Sequence, residues 1–310
     1  MKYLIILIFY ITTSHVVSSQ TTNKQDSIKN ISYFEFDQKK SDAFLDKATK
    51  AYNDAQFELA GKYYIKAFQY NSGNDKTLVF NALASYKTAN NNDKTILCYN
   101  ELLENGMDSL DLEKQFIIHQ NLAVIFNLQN QPKEVIQSIT LAQKIKPVDS
   151  EYILLKANSY YSINDKNNFE KQLKKALSIA PNNFHANYNL GVISFEKKDF
   201  KQAKYYYQKA LTINKNSEAA NLNFAVLLLS KETELVDKMN NLGYSKKDKK
   251  EYDLLTKKRK EIHKSVVPYL KKVLKANSNN KEAAKTLITI YNGLGKDRKA
   301  KKIKDSQKKK

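Results

Sequence analysis

The side chains that most often carry out catalysis or bind metal ions are few in this sequence. Of its 310 residues four are histidines, namely His15, His119, His185 and His263. None lies at a metal-ligand spacing from another histidine or from carboxylates, and no His-Glu-x-x-His pattern occurs. Neither a Gly-x-Ser-x-Gly motif nor a convincing Ser/His/Asp set can be assembled. The sequence therefore predicts a non-catalytic protein with no metal site and no cofactor.

The single cysteine and one glycine-containing run also favour structural roles. Cys98 lies between Leu97 and Tyr99 in an apolar helical pattern, and one cysteine cannot form an intramolecular disulfide. The run Gly293-Leu294-Gly295-Lys296 lacks the spacing and the Ser or Thr of a phosphate-binding loop. We interpret Cys98 as a small, semi-buried apolar residue and the glycine run as a turn that ends a helix.

The positive charge is concentrated in the last quarter of the chain. The formal net charge is +20, and residues 231–310 hold 25 Lys and Arg against 10 Asp and Glu, whereas residues 1–230 hold 27 against 22. The densest part is a basic patch made of Lys246, Lys247, Lys249, Lys250, Lys257, Lys258, Arg259 and Lys260. This patch could attract an anionic partner, or it could be the solvated face of a helix.

The N-terminal segment predicts export. Lys2 precedes the apolar run 3–11, and Val17-Ser18-Ser19 suits cleavage, so residues 1–19 are interpreted as a signal peptide. The apolar run is shorter than the ~20 residues of a membrane-spanning helix, and we expect no transmembrane span after cleavage. Residues 20–40 are polar with one aromatic cluster, which indicates a flexible leader whose rings cap the structure that follows.

Small residues recur at a fixed interval from residue 41 onward. The first set is separated by steps of 34, 41, 34, 34 and 34 residues and comprises Ala48, Ala82, Ala123, Ala157, Gly191 and Ala225. A second set, Ala142, Ala176 and Ala210, also repeats every 34 residues. Apolar residues around them follow helical spacing, and 7 Gly and 4 Pro are too few for a strand-rich chain. The prediction is an all-α chain of stacked helical hairpins.

The repeat is clearest at 184–217, where the shared pattern consists of Leu190-Gly191, Ala203, Tyr207 and Ala210. With these residues the unit resembles a tetratricopeptide repeat, although Asn187 and Lys215 stand where that family usually has Trp and Pro. The resemblance implies a right-handed superhelical solenoid of helical hairpins and a role in binding other proteins.

The period divides residues 41–310 into units 41–74, 75–115, 116–149, 150–183, 184–217, 218–280 and 281–307. Seven extra residues in the second unit are expected around 90–93 and 104–112. The sixth unit carries a long insert at about 231–258, which we interpret as an elongated helical hairpin. Its turn is expected at 241–244, and Ser245 with Asp248 is expected to cap the second long helix.

The resemblance also suggests where a partner would bind. In this family the first helix of each unit lines a concave groove, and its second, fifth, ninth, twelfth and thirteenth positions face it. The candidate partner-binding residues carried over in this way are Tyr52, Tyr86, Asn158, Tyr161, Tyr188, Val192 and Phe195. Aromatic rings are frequent binding anchors, but the same rings could instead pack between neighbouring repeats.

The resulting functional hypothesis is an exported, non-catalytic scaffold of the cell envelope, located in the periplasm, with attachment to the envelope or secretion as the alternatives. It would bind a peptide or helix of an unidentified protein partner in the groove. The alternative is a protein that binds a polyanion or an anionic membrane surface through its basic C-terminal quarter. Nucleic acid is not an expected partner, because the chain is predicted to be exported and shows no basic groove rich in aromatic residues.

Overall fold

The computed structural model describes residues 31–105 and 110–308, and helices make up nearly all of this part. In chain order they are α1 (Gln38–Asn53), α2 (Phe57–Tyr70), α3 (Thr77–Thr88), α4 (Asn92–Asn105), α5 (Leu112–Leu128), α6 (Pro132–Ile145), α7 (Ser150–Ser162), α8 (Lys166–Ile179), α9 (Phe184–Glu196), α10 (Phe200–Ile213), α11 (Glu218–Asn240), α12 (Lys246–Ala276), α13 (Lys281–Gly293) and α14 (Asp297–Lys308). No strand occurs among the described residues. The predicted fold class, an all-α repeat solenoid of helical hairpins, is confirmed.

The helices form two compact units, and the division between them falls inside α8. The first unit ends at Phe169 and the second begins at Glu170. In the first unit α1 packs on α2, α3 on α4, and α5 on α6. In the second unit α9 packs on α10, α11 on α12, and α13 on α14. Consecutive helices thus pair as antiparallel hairpins, as short connections between helices require.

Six hairpins in the described part are closed by the same three-residue link. Its middle residue has a positive φ, between 56° and 68°, and is Ala55, Asn90, Asn130, Asn164, Lys198 or Gly295. In the α9–α10 link the Lys198 amide donates to Phe195 O and the Asp199 amide donates to Ser194 O, each at 2.9 Å. This is the Schellman pattern, which satisfies the last carbonyls of a helix at the cost of one left-handed residue. The predicted turn at Gly293–Lys296 is confirmed as one of these links.

The recurring small residues lie where the helices approach most closely. All five alanines of the first set, and Ala142, Ala176 and Ala210 of the second, have no solvent-exposed surface. Gly191 shows why the side chain must be small. A Cβ atom there would lie 2.6 Å from the Tyr207 ring, which is itself buried on the facing helix α10. The 34-residue period of the sequence therefore marks the positions at which helices contact each other closely.

The extra residues of the sequence repeat 75–115 fall in only one of the two expected places. The α3–α4 link at 89–91 has the same three residues as the other links, and Asn90 is its left-handed residue. The polar cluster at 90–93 is therefore an ordinary link, and the expectation of an insertion there is wrong. The additional length lies between the end of α4 at Asn105 and the start of α5 at Leu112, and in α5 itself.

The sequence repeat 218–280 contains the elongated hairpin that the sequence predicts. Its two helices, α11 and α12, are 23 and 31 residues long. The predicted cap is confirmed, because Ser245 accepts from the Asp248 amide while Asp248 accepts from the Ser245 amide. The insert does not form separate helices, since α12 runs without a break through Val266 and Pro268. Insert and repeat share one helix because Leu255, Val266 and Leu270 all bury on the same face.

Part of the predicted leader is held against the first unit. Residues 31–37 run along α2, where the Phe34 amide donates to Gln69 O at 3.0 Å and the Asp37 amide to Tyr70 O at 2.9 Å. Tyr33 lies edge-on to Phe68, and its hydroxyl donates to Glu101 at 2.6 Å. We call residues 31–37 the strap. The predicted signal peptide 1–19 and the leader up to residue 30 lie outside the described residues.

Among the described residues, no helix has the length and apolar character that crossing a membrane requires.

The left-handed link residue gives a test of the fold. Lys198 pays the ~1 kcal/mol or more that a side chain costs at positive φ, whereas glycine adopts this conformation freely. Lys198→Gly is therefore expected to raise the free energy of unfolding by about 0.5–1 kcal/mol in a urea titration. Lys198→Ala keeps a Cβ and serves as the control, with no gain expected. An equal gain in both variants would contradict the backbone explanation.

Candidate functional site

Four of the predicted groove residues belong to the core. Tyr188 and Val192 have no exposed surface, Tyr86 is 3% exposed and Phe195 is 9% exposed. Tyr188 stacks on Phe184 with 6.0 Å between ring centroids, and its hydroxyl accepts from Asn223 Nδ2 of α11 at 2.9 Å. For these four residues the structure agrees with the alternative, in which the rings pack between repeats. They offer a partner no surface in this conformation.

The burial of α9 explains this departure from the family pattern. Every residue from Ala186 to Ser194, and also Phe195, is buried, so the helix has no solvent-facing side along most of its length. A helix that is covered all round is a core element. The groove positions carried over from the family are therefore apolar in α9, but they are covered by other residues and are not accessible to a partner.

The other three predicted residues lie in the first unit and keep exposed surface. Tyr52 is 41% exposed, with its ring 5.3 Å from that of Phe57. Asn158 and Tyr161 are partly buried on α7, and the Tyr161 ring packs 5.2 Å from Phe169. Their role in partner binding stays a prediction.

The structure reveals an exposed apolar surface that the candidate set does not contain. On α5, Ile117, Val124 and Leu128 are 45%, 43% and 49% exposed, and their spacing of seven and four residues places them on one side of the helix. We call these three residues the α5 stripe. They occupy the second, ninth and thirteenth positions of unit 116–149, so the same family positions, applied to this unit, would have found them.

The α5 stripe lies in an uncharged stretch of the sequence. Between Lys114 and Lys133 the sequence has no charged residue, in a chain of which 27% is charged. Single exposed apolar residues are common on protein surfaces, but an uncharged row of three on one helix face is typical of an interaction surface.

The predicted basic patch is exposed, with one exception. Lys246, Lys247, Lys249, Lys250, Lys257, Lys258 and Lys260 are solvent-exposed, whereas Arg259 is partly buried and forms an ion pair with Glu232 of α11. Arg259 therefore does not belong to the solvated patch. The reason is its position on α12, which is on the side of the helix that packs against α11.

The lysines of α12 extend further than the patch. Seven exposed lysines recur at steps of 4, 7, 3, 4, 7 and 4 residues, which keeps them on one helix face, and we call them the lysine row: Lys246, Lys250, Lys257, Lys260, Lys264, Lys271 and Lys275. Lys264 pairs with Glu261 at 2.8 Å. The positive charge of the last quarter is thus arranged as a line along one long helix.

Glu232, Arg259 and His263 form a buried polar cluster. Glu232 Oε1 accepts from Arg259 Nε and lies 3.0 Å from His263 Nε2, and the Glu232 side chain is 5% exposed. Burial by itself raises the pKa of this carboxyl, but the hydrogen bonds and charges of His263 and Arg259 outweigh it and lower the pKa of Glu232 from 4.5 to about 2. Arg259 and His263 reach the same carboxylate because they lie one turn apart on α12.

No group of three or more His, Cys, Asp or Glu side chains within the described ranges is placed to hold a metal ion. Cys98 is completely buried, and burial raises the pKa of its thiol to about 12, so the reactive thiolate is scarce at neutral pH. His119 and His185 are partly buried, and this burial lowers the pKa of each imidazole.

Comparisons with known proteins identify the repeats. Two family models, both described as tetratricopeptide repeat, match residues 150–183 and 184–217. These matches span the α7–α8 and α9–α10 helices. Residues 150–217 therefore contain two tetratricopeptide repeats. No curated protein sequence matches it.

Several solved structures are similar at low sequence identity. The MamA protein is 16% identical over 63% of this chain and 91% of its own, with a TM-score of 0.47. PilF of Pseudomonas aeruginosa is 17% identical over 84% and 87%, with a TM-score of 0.42. The TPR2AB domain of yeast Sti1, solved as a complex with pHSP90, is 16% identical over 82% and 98%, with a TM-score of 0.32. These similarities add no functional detail for this chain.

The buried cluster gives a prediction for acid stability. Because the pKa of Glu232 is lowered by folding, its contribution to stability is complete above about pH 5 and is lost as the pH falls toward 2. Glu232→Gln is expected to lose on the order of 2 kcal/mol of unfolding free energy at pH 7, and the gap to the wild type should close as the pH falls through this window. Urea titrations at pH 7, 5, 4 and 3 measure it.

Glu234→Gln is the matched control, because Glu234 lies on the same helix and is exposed. A pH-independent gap between the wild type and Glu232→Gln would contradict the ion-pair explanation, and a loss of the same size in Glu234→Gln would show that the effect is not specific to the cluster.

Proposed function

We propose that this protein is a scaffold that binds a protein partner in its first compact unit, which ends at Phe169. The binding surface would be the groove-facing side of the first helix of each repeat. Tetratricopeptide repeats support the general role of protein–protein interaction. The observation that carries the specific proposal is the α5 stripe, which is exposed at groove-facing positions of unit 116–149. Asn158 and Tyr161 in the neighbouring unit 150–183, and Tyr52 in unit 41–74, retain exposed surface at such positions and extend the candidate surface.

The occupant that fits is an uncharged apolar segment of a partner, in helical or extended form. Residues 115–132 contain no charged residue, so a charged side chain placed over the α5 stripe would lose water without gaining an ion pair from this stretch. Apolar side chains would instead bury the exposed surface of Ile117, Val124 and Leu128, which gains ~25 cal/mol per Å². Recognition of an amphipathic segment by a groove uses this form of contact.

The proposed location is the cell envelope, reached by export. The support is the predicted signal peptide at 1–19, with one cysteine, which is buried and free, so that the fold needs no disulfide. Mass determination of the N-terminus after expression with export machinery tests this. An intact N-terminus at Met1 in the exported fraction would contradict cleavage.

The α5 stripe is tested by site-specific photo-crosslinking. A photoreactive side chain at Val124 is expected to crosslink one discrete protein, and a synthetic copy of the crosslinked segment should bind the purified protein. Ile117→Ser combined with Leu128→Ser should weaken that binding at least about tenfold, since truncating buried apolar anchors costs ~1–2 kcal/mol or more. Because these side chains are exposed, the unfolding free energy should change little.

Leu112→Ser is the matched control, because Leu112 is 64% exposed and lies on the opposite side of the same helix. Equal crosslinking from positions 112 and 124, or a charged segment as the crosslinked species, would overturn the proposal. Tyr161→Ala tests whether the surface reaches α7. Phe195→Ala does not test binding, because Phe195 is a core residue.

The lysine row supports a second candidate function, attachment to an anionic membrane surface. Seven exposed lysines on one face of a 31-residue helix form a line of positive charge suited to phospholipid headgroups. Each lysine near an anionic surface contributes about 1 kcal/mol, and the attraction is screened by salt. This contact involves only the second unit and is compatible with a scaffold role.

Vesicle sedimentation separates this candidate from a solvated helix face. Binding to vesicles containing anionic phosphatidylglycerol should fall steeply as salt is raised, and Lys246→Glu/Lys250→Glu/Lys257→Glu should abolish it at moderate salt. The control Lys201→Glu/Lys204→Glu/Lys209→Glu reverses the same number of charges on exposed α10 positions. Equal loss in both triple variants would show that net charge, and not the row, controls binding.

A further inference from the structure

A cavity of about 240 Å³ lies between α11, α12 and α13, all within the second unit. Aliphatic side chains form one part of its lining, including Leu222, Leu229 and Ile290, while Arg259, Lys281 and Lys285 supply another. Pockets that hold drug-sized molecules usually measure ~300–1,000 Å³. An occupant of this cavity must therefore be smaller. It must contact the aliphatic part of the lining and also carry a group that pairs with the positively charged part.

The buried cluster prepares Arg259 for an anion. Glu232 accepts from Arg259 Nε, which restricts the orientation of the guanidinium, and Arg259 also lines the cavity. A guanidinium edge of this kind forms two parallel hydrogen bonds with a carboxylate. Because Arg259 and Glu232 carry opposite charges, the pair by itself adds no net charge to the cavity.

Two lysines of α13 reinforce the positive charge. Lys281 and Lys285 are one turn apart, are solvent-exposed and line the same cavity. Lys281 is also the first residue of α13, so the positive end of that helix dipole lies beside it. Two acidic residues, Glu232 and Glu282, also line the cavity and oppose this positive charge. The three cations Arg259, Lys281 and Lys285, together with the helix end, thus outweigh the two lining carboxylates.

We propose that this cavity binds a small free carboxylic acid with a branched hydrocarbon chain. Its carboxylate pairs with Arg259 and the two lysines, and its chain contacts Leu222, Leu229 and Ile290. Inorganic phosphate or sulfate would leave the aliphatic lining without a partner, and a neutral hydrocarbon would leave the cationic side unused. The site lies outside the first unit, and the scaffold role does not require it.

The test is calorimetric titration of the full chain with 4-methylpentanoate, which has one carboxylate and a branched tail. Saturable binding is expected, with much weaker or no binding of 4-methylpentanamide, which has the same shape without the charge. Lys281→Gln/Lys285→Gln should weaken binding about tenfold, because two charge-assisted contacts are lost. Both lysines are exposed, so the variant should fold, which circular dichroism verifies.

The control Lys271→Gln/Lys275→Gln removes two exposed lysines with the same spacing from the solvent face of α12, and affinity should stay within about twofold of the wild type. Arg259→Lys keeps the charge beside Glu232 but removes the fork, and it should weaken binding as well. No saturable binding at millimolar acid, equal binding of the amide, or equal loss in the two double variants would overturn the proposal. Tighter binding of an acetylated peptide ending in leucine than of the free acid would overturn the assignment to a small acid.

Discussion

The structure depends on one steric constraint, the close approach of the two helices within each hairpin. At Gly191 the backbone of α9 lies so near the Tyr207 ring that even a methyl group would overlap it. The alanines at the equivalent positions of the other units are buried without any exposed surface. Since a hairpin held this closely still leaves apolar faces on its outside, each one needs a neighbour, and the repeated architecture follows from this need.

The same constraint explains why sequence alone predicts so much of the fold. Ala48, Ala82, Ala123, Ala157 and Ala225 can be counted in the sequence because each is a small residue that is completely buried, and their period gives the hairpins directly. The Ser245–Asp248 cap is equally local and is read from two residues. The expected insertion at 90–93 is wrong for a related reason. Asn90 is a turn residue of the ordinary link, and polar composition cannot distinguish a standard turn from a longer one.

Side-chain contacts between different helices could not be predicted from the sequence. Tyr188 reads as a groove residue by its position in the repeat, yet Asn223 and its neighbours on α11 cover it, and no pattern within 184–217 reveals this. The Glu232 cluster joins residues 27 and 31 positions apart, across a turn whose geometry decides whether they meet. Arg259 consequently reads as one more surface charge among lysines, although it is the member of that run that binds inward.

The strap determines where a fragment that contains the first compact unit would have to begin. A chain beginning at the first repeat, residue 41, would lack Tyr33, whose ring covers Phe68 and whose hydroxyl reaches the buried Glu101. It would also expose Gly73, which has no room for a side chain because Tyr33 occupies that space. The functional boundary of the first unit therefore precedes its first helix, and a repeat count based on helices alone would cut through its hydrophobic core.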